Sequence, residues 1–423
     1  MKVFSSCTLA TCLATALSAQ VNPGDIAVTG FSTSAFGILG AGNVVTGYTT
    51  PGFQGTSVGT SQAILWDPAN PNDFLVAGFG FIGRATIVGL GTVAYAPITN
   101  NAGIVSQMSW TDAGLVVFVD SGTNQVRVLD PTNGAVADLS TGTQPWGMSL
   151  NSGALDPVSG DVIAGGDGAI YRLPAGSATA NATPIVAGLG GAVTAIAFDP
   201  ANGEILATVL TVNRVIRVDA AGTVTDVAPP FSVPGPNALC IDANGDLVTG
   251  GGTGQVYRVP HGGGMPVFLA NNTSPANAVN GLAVAGGGGF AIPFGASCAG
   301  AFGPVALAVT GQYAIGAPLL FRSNNHAAST PGLWVLGLSD TNYLGLPLPF
   351  LLDGALGTAS CYLNVSADVT LAGLSSATAP STLDFTLTAT PPFAGMRFFA
   401  QHVGLEAVPG GLSFSNGVVV RLP

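Results

Sequence analysis

Six short apolar runs recur along the chain at a nearly fixed spacing. They are ILWDP, MSWTD, MSLNS, IAFDP, LCIDA and LAVAG, and their third residues are Trp66, Trp110, Leu150, Phe198, Ile241 and Val284. The intervals between these anchors are 44, 40, 48, 43 and 43 residues, the length of a unit of four short antiparallel strands. A tract of Asp, Pro, Asn and Gly follows the anchor, as in FDPANGEI (198–205) and IDANGDL (241–247). Asp and Asn side chains close such tracts onto their own backbone and Gly accepts a positive φ, so each tract predicts a hairpin turn. A second apolar strand comes next. The third strand then sets an arginine among apolar residues: NQVRVLD (Arg127), GAIYRLP (Arg172), NRVIRVD (Arg217), GQVYRVP (Arg258) and a looser GRATI (Arg84). A residue repeated in every unit is read as architecture, tying neighbouring strands or loops.

The ends of the repeat complement each other. Residues 24–48 resemble the second, third and fourth strands of a unit without its first, and NGLAVAGG (280–287) supplies a first strand. Pairing the two closes a ring and removes the exposed edges of an open stack. The reading is all-β: a six-bladed β-propeller over 20–294, with seven blades as the alternative if GGFAIPFG (288–295) opens another. The pattern PNALCIDANGDLVTGGGTGQVYRVP (236–260) resembles NHL-type and SMP-30/gluconolactonase-like propellers, and the resemblance spans about 24–294.

From 295 to 423 the repeat gives way to apolar or alternating runs of four to nine residues bounded by Gly, Pro and Asn. These predict a β-sandwich. The order of Cys-x-Gly, LPLPFLLDG, a second Cys before YLNVSAD, FFAQ and a closing SNG resembles a C-terminal module of secreted bacterial proteins. Cys298 and Cys361 both fall in this region and are expected to form a disulfide. Closing their 63-residue separation removes about 4 kcal/mol of unfolded-chain entropy in the simple loop model. Cys240, in the apolar run ALCI, is expected to pack in the core rather than act as a nucleophile.

Composition adds an address. Residues 1–19, MKVFSSCTLATCLATALSA, have the charged start, apolar stretch and small-residue end of a secretory signal peptide. The alternative is a lipoprotein processing site at Cys12. No later stretch has the ~20 uninterrupted apolar residues of a membrane helix, so no membrane span is expected. Only 7% of residues are charged, against roughly 25% in ordinary domains. Lys2 is the sole lysine, and past the leader nine arginines face 21 acids, a formal charge of −12. This balance repels phosphate backbones, so no nucleic-acid partner is expected. It also leaves no lysine for Schiff-base or P-loop chemistry.

The axis, where first strands converge, is the place where this architecture would carry chemistry. In gluconolactonase-like enzymes, the resemblance implies a divalent metal there, held by carboxylates and Asn. The residues four before the anchors are Gln62, Ser106, Trp146, Thr194, Asn237 and Asn280. This ring has no carboxylate, and a hard cation wants charged oxygen ligands, so neither a metal nor a cofactor is expected. Streptogramin-lyase-like propellers depend on an axial histidine, whereas His261, His326 and His402 are expected at solvated loop and edge positions. No Gly-x-Ser-x-Gly or zinc spacing occurs, and DANGD (242–246) reads as a turn rather than a calcium loop. Two readings follow. In the first, the protein is secreted or at the cell surface and binds an extracellular carbohydrate, peptide or protein without catalysis, through Gln62, Gln107, Trp146, Asn237 and Asn280. The alternative is a gluconolactonase- or lyase-like enzyme with a rearranged axial site. Attachment at the cell surface is assigned to the C-terminal region. Deleting residues 296–423 should then release the protein from the cell surface, and unchanged retention in fractionated cells would refute the assignment.

Overall fold

The structure is a computed structural model. It describes residues 21–422 except 22–24, 31–34, 41–42, 44, 50–60, 68–71, 90–91, 112, 140–148, 176–181, 200–201, 243, 272–277, 285–289, 312–317, 354–360, 389, 391–395 and 409. The leader and Cys12 lie outside the described residues. The described strands build a β-propeller followed by two packed sheets.

Each repeat forms an antiparallel sheet in the order its sequence predicts. Val105–Trp110, Val116–Asp120, Gln125–Leu129 and Val136–Asp138 are neighbours in one sheet. Ala238–Ile241, Leu247–Gly250, Gln255–Val259 and Val267–Asn271 form another. The strand Leu150–Leu155 pairs with the start of Val162–Leu173, whose end pairs with the start of Thr183–Phe198. From Val193 that long strand pairs with Ile205–Val209 and so opens the next sheet. First strands touch in cyclic order, from Ser61–Trp66 through Val105–Trp110, Leu150–Leu155, the end of Thr183–Phe198, Ala238–Ile241 and Val279–Val284 back to Ser61–Trp66. The ring closes as the sequence implies. Ile26–Gly30 pairs with Val279–Val284, Ile26 opposite Val284, and Ala35–Leu39 and Val45–Thr49 complete that sheet.

Second strands are buried on both faces, as in Asp73–Gly78 and Ile205–Val209, because a neighbouring sheet lies on each side. This is why they read as unbroken apolar runs rather than alternating ones. The turns use the chemistry foreseen. Asp242 Oδ1 accepts the backbone N–H groups of Asn244 at 2.8 Å and Asp246 at 3.1 Å, while Gly245 takes φ 84°. The DANGD tract is therefore a closed turn.

The repeated arginines bridge the first hairpin of their own sheet. Arg84 reaches Asp67 at 2.9 Å, Arg172 reaches Asp156 at 3.1 Å and Asp161 at 2.8 Å, and Arg217 reaches Asp199 at 3.1 Å and Glu204 at 3.2 Å. Arg258 reaches Asp242 at 2.8 Å. Arg127 departs from the pattern. Val117 pairs with Val128 where Val248 pairs with Arg258, so Arg127 stands one residue earlier and on the other face. It ties Asp120 at 3.5 Å and Asp138 at 3.0 Å instead.

Beyond the ring, GGFAIPFG opens no further blade. Phe290–Phe294 pairs antiparallel with Gly417–Arg421 at the end of the chain, so this strand joins the C-terminal sheets. One sheet runs Phe290–Phe294, Gly417–Arg421, Arg397–Leu405, Pro331–Gly337, Val369–Leu374, and the other runs Ala306–Gly311, Pro318–His326, Ser381–Thr388. Leu319, Phe321 and Leu383 from one sheet pack with Trp334, Phe398 and Val420 from the other, making a sandwich. The Cys298–Cys361 disulfide is present, with its Cα atoms 4.9 Å apart. The outer face of the larger sheet meets the propeller, where Val158 packs on Ile292, Val335 and Phe399 and Arg397 Nη2 donates to the Val158 carbonyl at 3.2 Å.

The buried ties should count for more than the exposed ones. Asp199 has no exposed surface and also receives His261 Nε2 at 2.8 Å, so Asp199→Ala removes a buried acceptor shared by Arg217 and His261. Urea unfolding should show a loss of about 2 kcal/mol or more. Arg322→Ala, which breaks the exposed pair with Asp384, should cost under about 1 kcal/mol. Equal losses would contradict the assignment.

Candidate functional site

Six half-buried polar side chains surround one mouth of the axial channel: Gln62, Ser106, Asn151, Thr194, Asn237 and Asn280. They line a cavity of about 380 Å3. Local backbone geometry puts most of them there. The strand registers shift between Ser61 and Ala63, Val105 and Gln107, Leu150 and Ser152, and Val193 and Ala195, so Gln62, Ser106, Asn151 and Thr194 are each the extra residue of a bulge. Asn280 is skipped in the same way between Val279 and Gly281. A bulge re-aims one side chain without ending the ladder.

Five of the six residues expected four before an anchor, Gln62, Ser106, Thr194, Asn237 and Asn280, are thus brought together, and one position changes. In the third repeat the ring residue is Asn151, and Trp146 lies outside the described residues. The matching anchor is Leu155, not Leu150, which makes the intervals 44, 45, 43, 43 and 43 residues. The signal was present in LDPVSGD (155–161), which matches FDPANGE (198–204) residue for residue in type. The apolar MSL just ahead of it obscured the register.

The ring is partly cross-linked. Asn237 Nδ2 donates to Asn280 Oδ1 at 2.6 Å, and Thr194 Oγ1 donates to the Pro236 carbonyl at 3.0 Å. Gln107 sits deeper and is committed to the protein. Its Oε1 accepts Gly153 N–H at 3.2 Å and Ile196 N–H at 3.1 Å, and its Nε2 donates to the Ile196 carbonyl at 2.5 Å. It therefore ties three first strands and does not belong to the ring. Ser106, Thr194 and Asn280 also line a second cavity further along the axis, where all six anchors in their corrected register converge. Cys240 lines it too, half-buried and packed against the core cluster of Ala238, Val248 and Val256. Burial pushes its thiol pKa up, and Asp242 adds to that against the opposing pull of Arg258.

His261 lies in a turn with a partly exposed side chain, as expected, and is bound to Asp199, with 2.8 and 2.9 Å to the two carboxylate oxygens. His326 and His402 are not the solvated residues expected and have no exposed surface. They belong to a buried network inside the sandwich. Ser323 Oγ lies 2.7 Å from His326 Nε2 and 3.1 Å from His402 Nδ1, and His326 Nδ1 donates to Glu406 Oε1 at 2.5 Å. Glu406 also accepts Ser413 Oγ at 2.9 Å and Ala301 N–H at 2.7 Å. One hydroxyl proton cannot serve two imidazoles, so the imidazole not receiving it must donate to Ser323. The Ser323–His326–Glu406 spacing is that of a nucleophile, base and acid, but Ser323 has no exposed surface for a substrate to meet. Burial, aided by the His326 charge, lowers the His402 pKa to about 3. Among the described residues, no group of three or more His, Cys, Asp or Glu could hold a metal ion, and no helix is long and apolar enough to cross a membrane.

No protein-family model matches the chain, and no curated protein matches it. Among solved structures it is similar to a chain of the nidogen/laminin complex, at 12% identity over 62% of this chain and 98% of that chain, with a TM-score of 0.49. It is also similar to streptogramin B lyase, at 14% identity over 62% of this chain and 78% of that one, TM-score 0.41. A third is a putative gluconolactonase, at 14% identity over 51% of this chain and 79% of that one, TM-score 0.41. The propeller itself rests on the strand order and register above.

The His402 pKa gives a signed expectation. An unfolded imidazole takes its proton near pH 6.5, while the folded one resists until about 3. The unfolded state therefore binds more protons in between, and stability present above about pH 6.5 falls as pH drops through that window, by about 1.4 kcal/mol per unit. Urea midpoints at pH 7, 5.5 and 4.5 should decline for the parent and decline less for His402→Gln. Identical slopes would refute the assignment.

Proposed function

We propose that the protein is exported and binds a neutral carbohydrate at the axial mouth, without chemical conversion. The carrying observation is the ring of Gln62, Ser106, Asn151, Thr194, Asn237 and Asn280. All six are uncharged and hydrogen-bonding. Amides and hydroxyls both donate and accept, as sugar hydroxyls do, and a cavity of about 380 Å3 falls within the size of small-ligand sites. Turnover would call for a titratable group among these six, and none carries one. Export is supported by the leader-like residues 1–19 and by the disulfide, a bond that persists in oxidising compartments. The propeller is assigned to residues 20–284 and the C-terminal region to 290–423, following the strand pairing of Phe290–Phe294. Cell-surface attachment through the C-terminal region remains part of this reading.

A glycan array probed with the purified protein tests it. Neutral glycans should be retained, and Asn151→Ala and Asn280→Ala should each weaken the best of them by about tenfold, a loss of about 1.4 kcal/mol. Retention of charged ligands alone, or ring variants that bind like the parent, would overturn the proposal. Release of modified glycan, detected by mass spectrometry, would favour the enzyme reading instead.

A further inference from the structure

One aromatic ring stands open beside the axial mouth. Phe231 is 69% exposed and takes φ 64°. In this left-handed region the Cβ crowds the following carbonyl, so bulky residues rarely hold it, and the strain persists only where the surroundings impose it. The surroundings here are firm. Phe231 lies in VAPPFSVPGPN (227–237), where prolines on both sides restrict the backbone. Val227, Ala228 and Val233 of this loop are buried against Leu206, Val215 and Leu247. Phe231 N–H donates to the Asn213 carbonyl at 2.9 Å, and Gly235 N–H donates to Asn213 Oδ1 at 2.7 Å. The loop joins Val224–Asp226, the last strand of one blade, to Ala238–Ile241, the first of the next, and so leads into the amide ring at Asn237. It also touches the lining of the mouth elsewhere. Asn213 N–H donates to the Leu210 carbonyl at 3.1 Å, Gly252 N–H donates to the Pro234 carbonyl at 3.1 Å, and Leu210 and Gly252 both line the mouth cavity. From Phe231 to Asn237 the chain can span at most about 20 Å.

We propose that Phe231 is the floor of an outer subsite on the rim of the axial mouth, where one pyranose ring of a neutral oligosaccharide lies while another sits in the amide ring. The subsite rests on the carbohydrate reading above and narrows its ligand to chains longer than a single sugar. A pyranose turns axial C–H groups to one face, and their slightly positive hydrogens fit the negative face of an aromatic ring. A phenyl ring has no hydrogen-bonding group, so it adds contact without sorting hydroxyl patterns, which falls to the amides. Residues 227–237 carry no charge, in keeping with a neutral ligand. A platform whose backbone is already fixed loses little freedom on binding, which gives the strained φ a use. The outer contact acts on a ligand already held at the inner site, so its effect appears only in chains long enough to reach both.

Calorimetric titration of the purified full chain tests it, with the best neutral glycan of the array and its fragments down to the monosaccharide. The parent should bind the longest at least about tenfold more tightly than the monosaccharide. Phe231→Ala should weaken the long glycan by about fivefold and leave the monosaccharide unchanged, whereas Phe231→Trp should keep the gain. Phe231→Gly separates this role from a structural one. Glycine accepts φ 64° without strain, so this variant should unfold at a urea concentration no lower than the parent while losing the long glycan as Phe231→Ala does. Asn280→Ala should weaken every length. Affinity that does not rise with chain length, or long and short glycans that respond alike to Phe231→Ala while Asn280→Ala weakens both, would overturn the subsite and leave the amide-ring reading standing. Indifference of every glycan to Asn280→Ala would overturn that reading and the subsite with it.

Discussion

The pairing of Ile26–Gly30 with Val279–Val284 is the constraint on which the propeller depends. Its second strands are buried on both faces, so none of them can end a stack without exposing an apolar surface. A chain of such sheets is stable only when the last meets the first. Joining residues this far apart costs little extra, since loop-closure entropy grows only with the logarithm of length. Closure also decides where the remaining chain goes. The ring ends at Val284, the next described strand begins at Phe290, and the C-terminal sheets are thereby seated against the end where the apolar anchors converge.

Charge is scarce because the fold spends it locally. Arg84, Arg172, Arg217 and Arg258 each bind acids that bracket the first hairpin of their own blade. A pair of this kind fixes two strands and a turn together, and its carboxylate is buried: Asp67, Asp199 and Asp242 are at most 5% exposed. Such groups would be costly to bury alone and are tolerated because they are paired and hydrogen-bonded. The low charged fraction and the repeated Arg–Asp motif are therefore one feature, seen first as composition and then as geometry.

Period, turn chemistry, ring closure and the cysteine pair could all be read from the sequence because each is local or repeated. What was not legible depended on register or on distant contacts. A one-residue longer turn before Gln125 moved Arg127 to the other face of its strand, although its spacing from Trp110 matched that of Arg258 from Ile241. The apolar MSL before Asn151 imitated a first strand and displaced the third anchor by five residues, which placed Trp146 where the fold has Asn151. Gln107 looked like a ring member beside Ser106, yet the bulge at Ser106 sends the two side chains to different tasks. The burial of His326 and His402 could not be inferred, because His326 bonds Glu406 at 80 residues' separation and His402 bonds Ser323 at 79, and sequence spacing carries no record of those contacts.

Distances alone do not make a reactive site. Ser323, His326 and Glu406 have the spacing of a catalytic relay, but the sandwich closes over them. The axial ring has the opposite character, an accessible cavity whose six side chains carry no titratable group. Proton transfer requires both conditions in one place, and neither place has both. The relay is better explained by the requirement that buried polar groups be satisfied: every member gains partners that water would otherwise supply. The ring is what the proposed binding role draws on, since the described bonds of its half-buried side chains use only part of their donor and acceptor capacity. The same first strands that end in neutral amides at one mouth end in Trp66, Trp110 and Phe198 at the other. One strand pattern, repeated around the axis, thus gives the channel two ends with different chemistry.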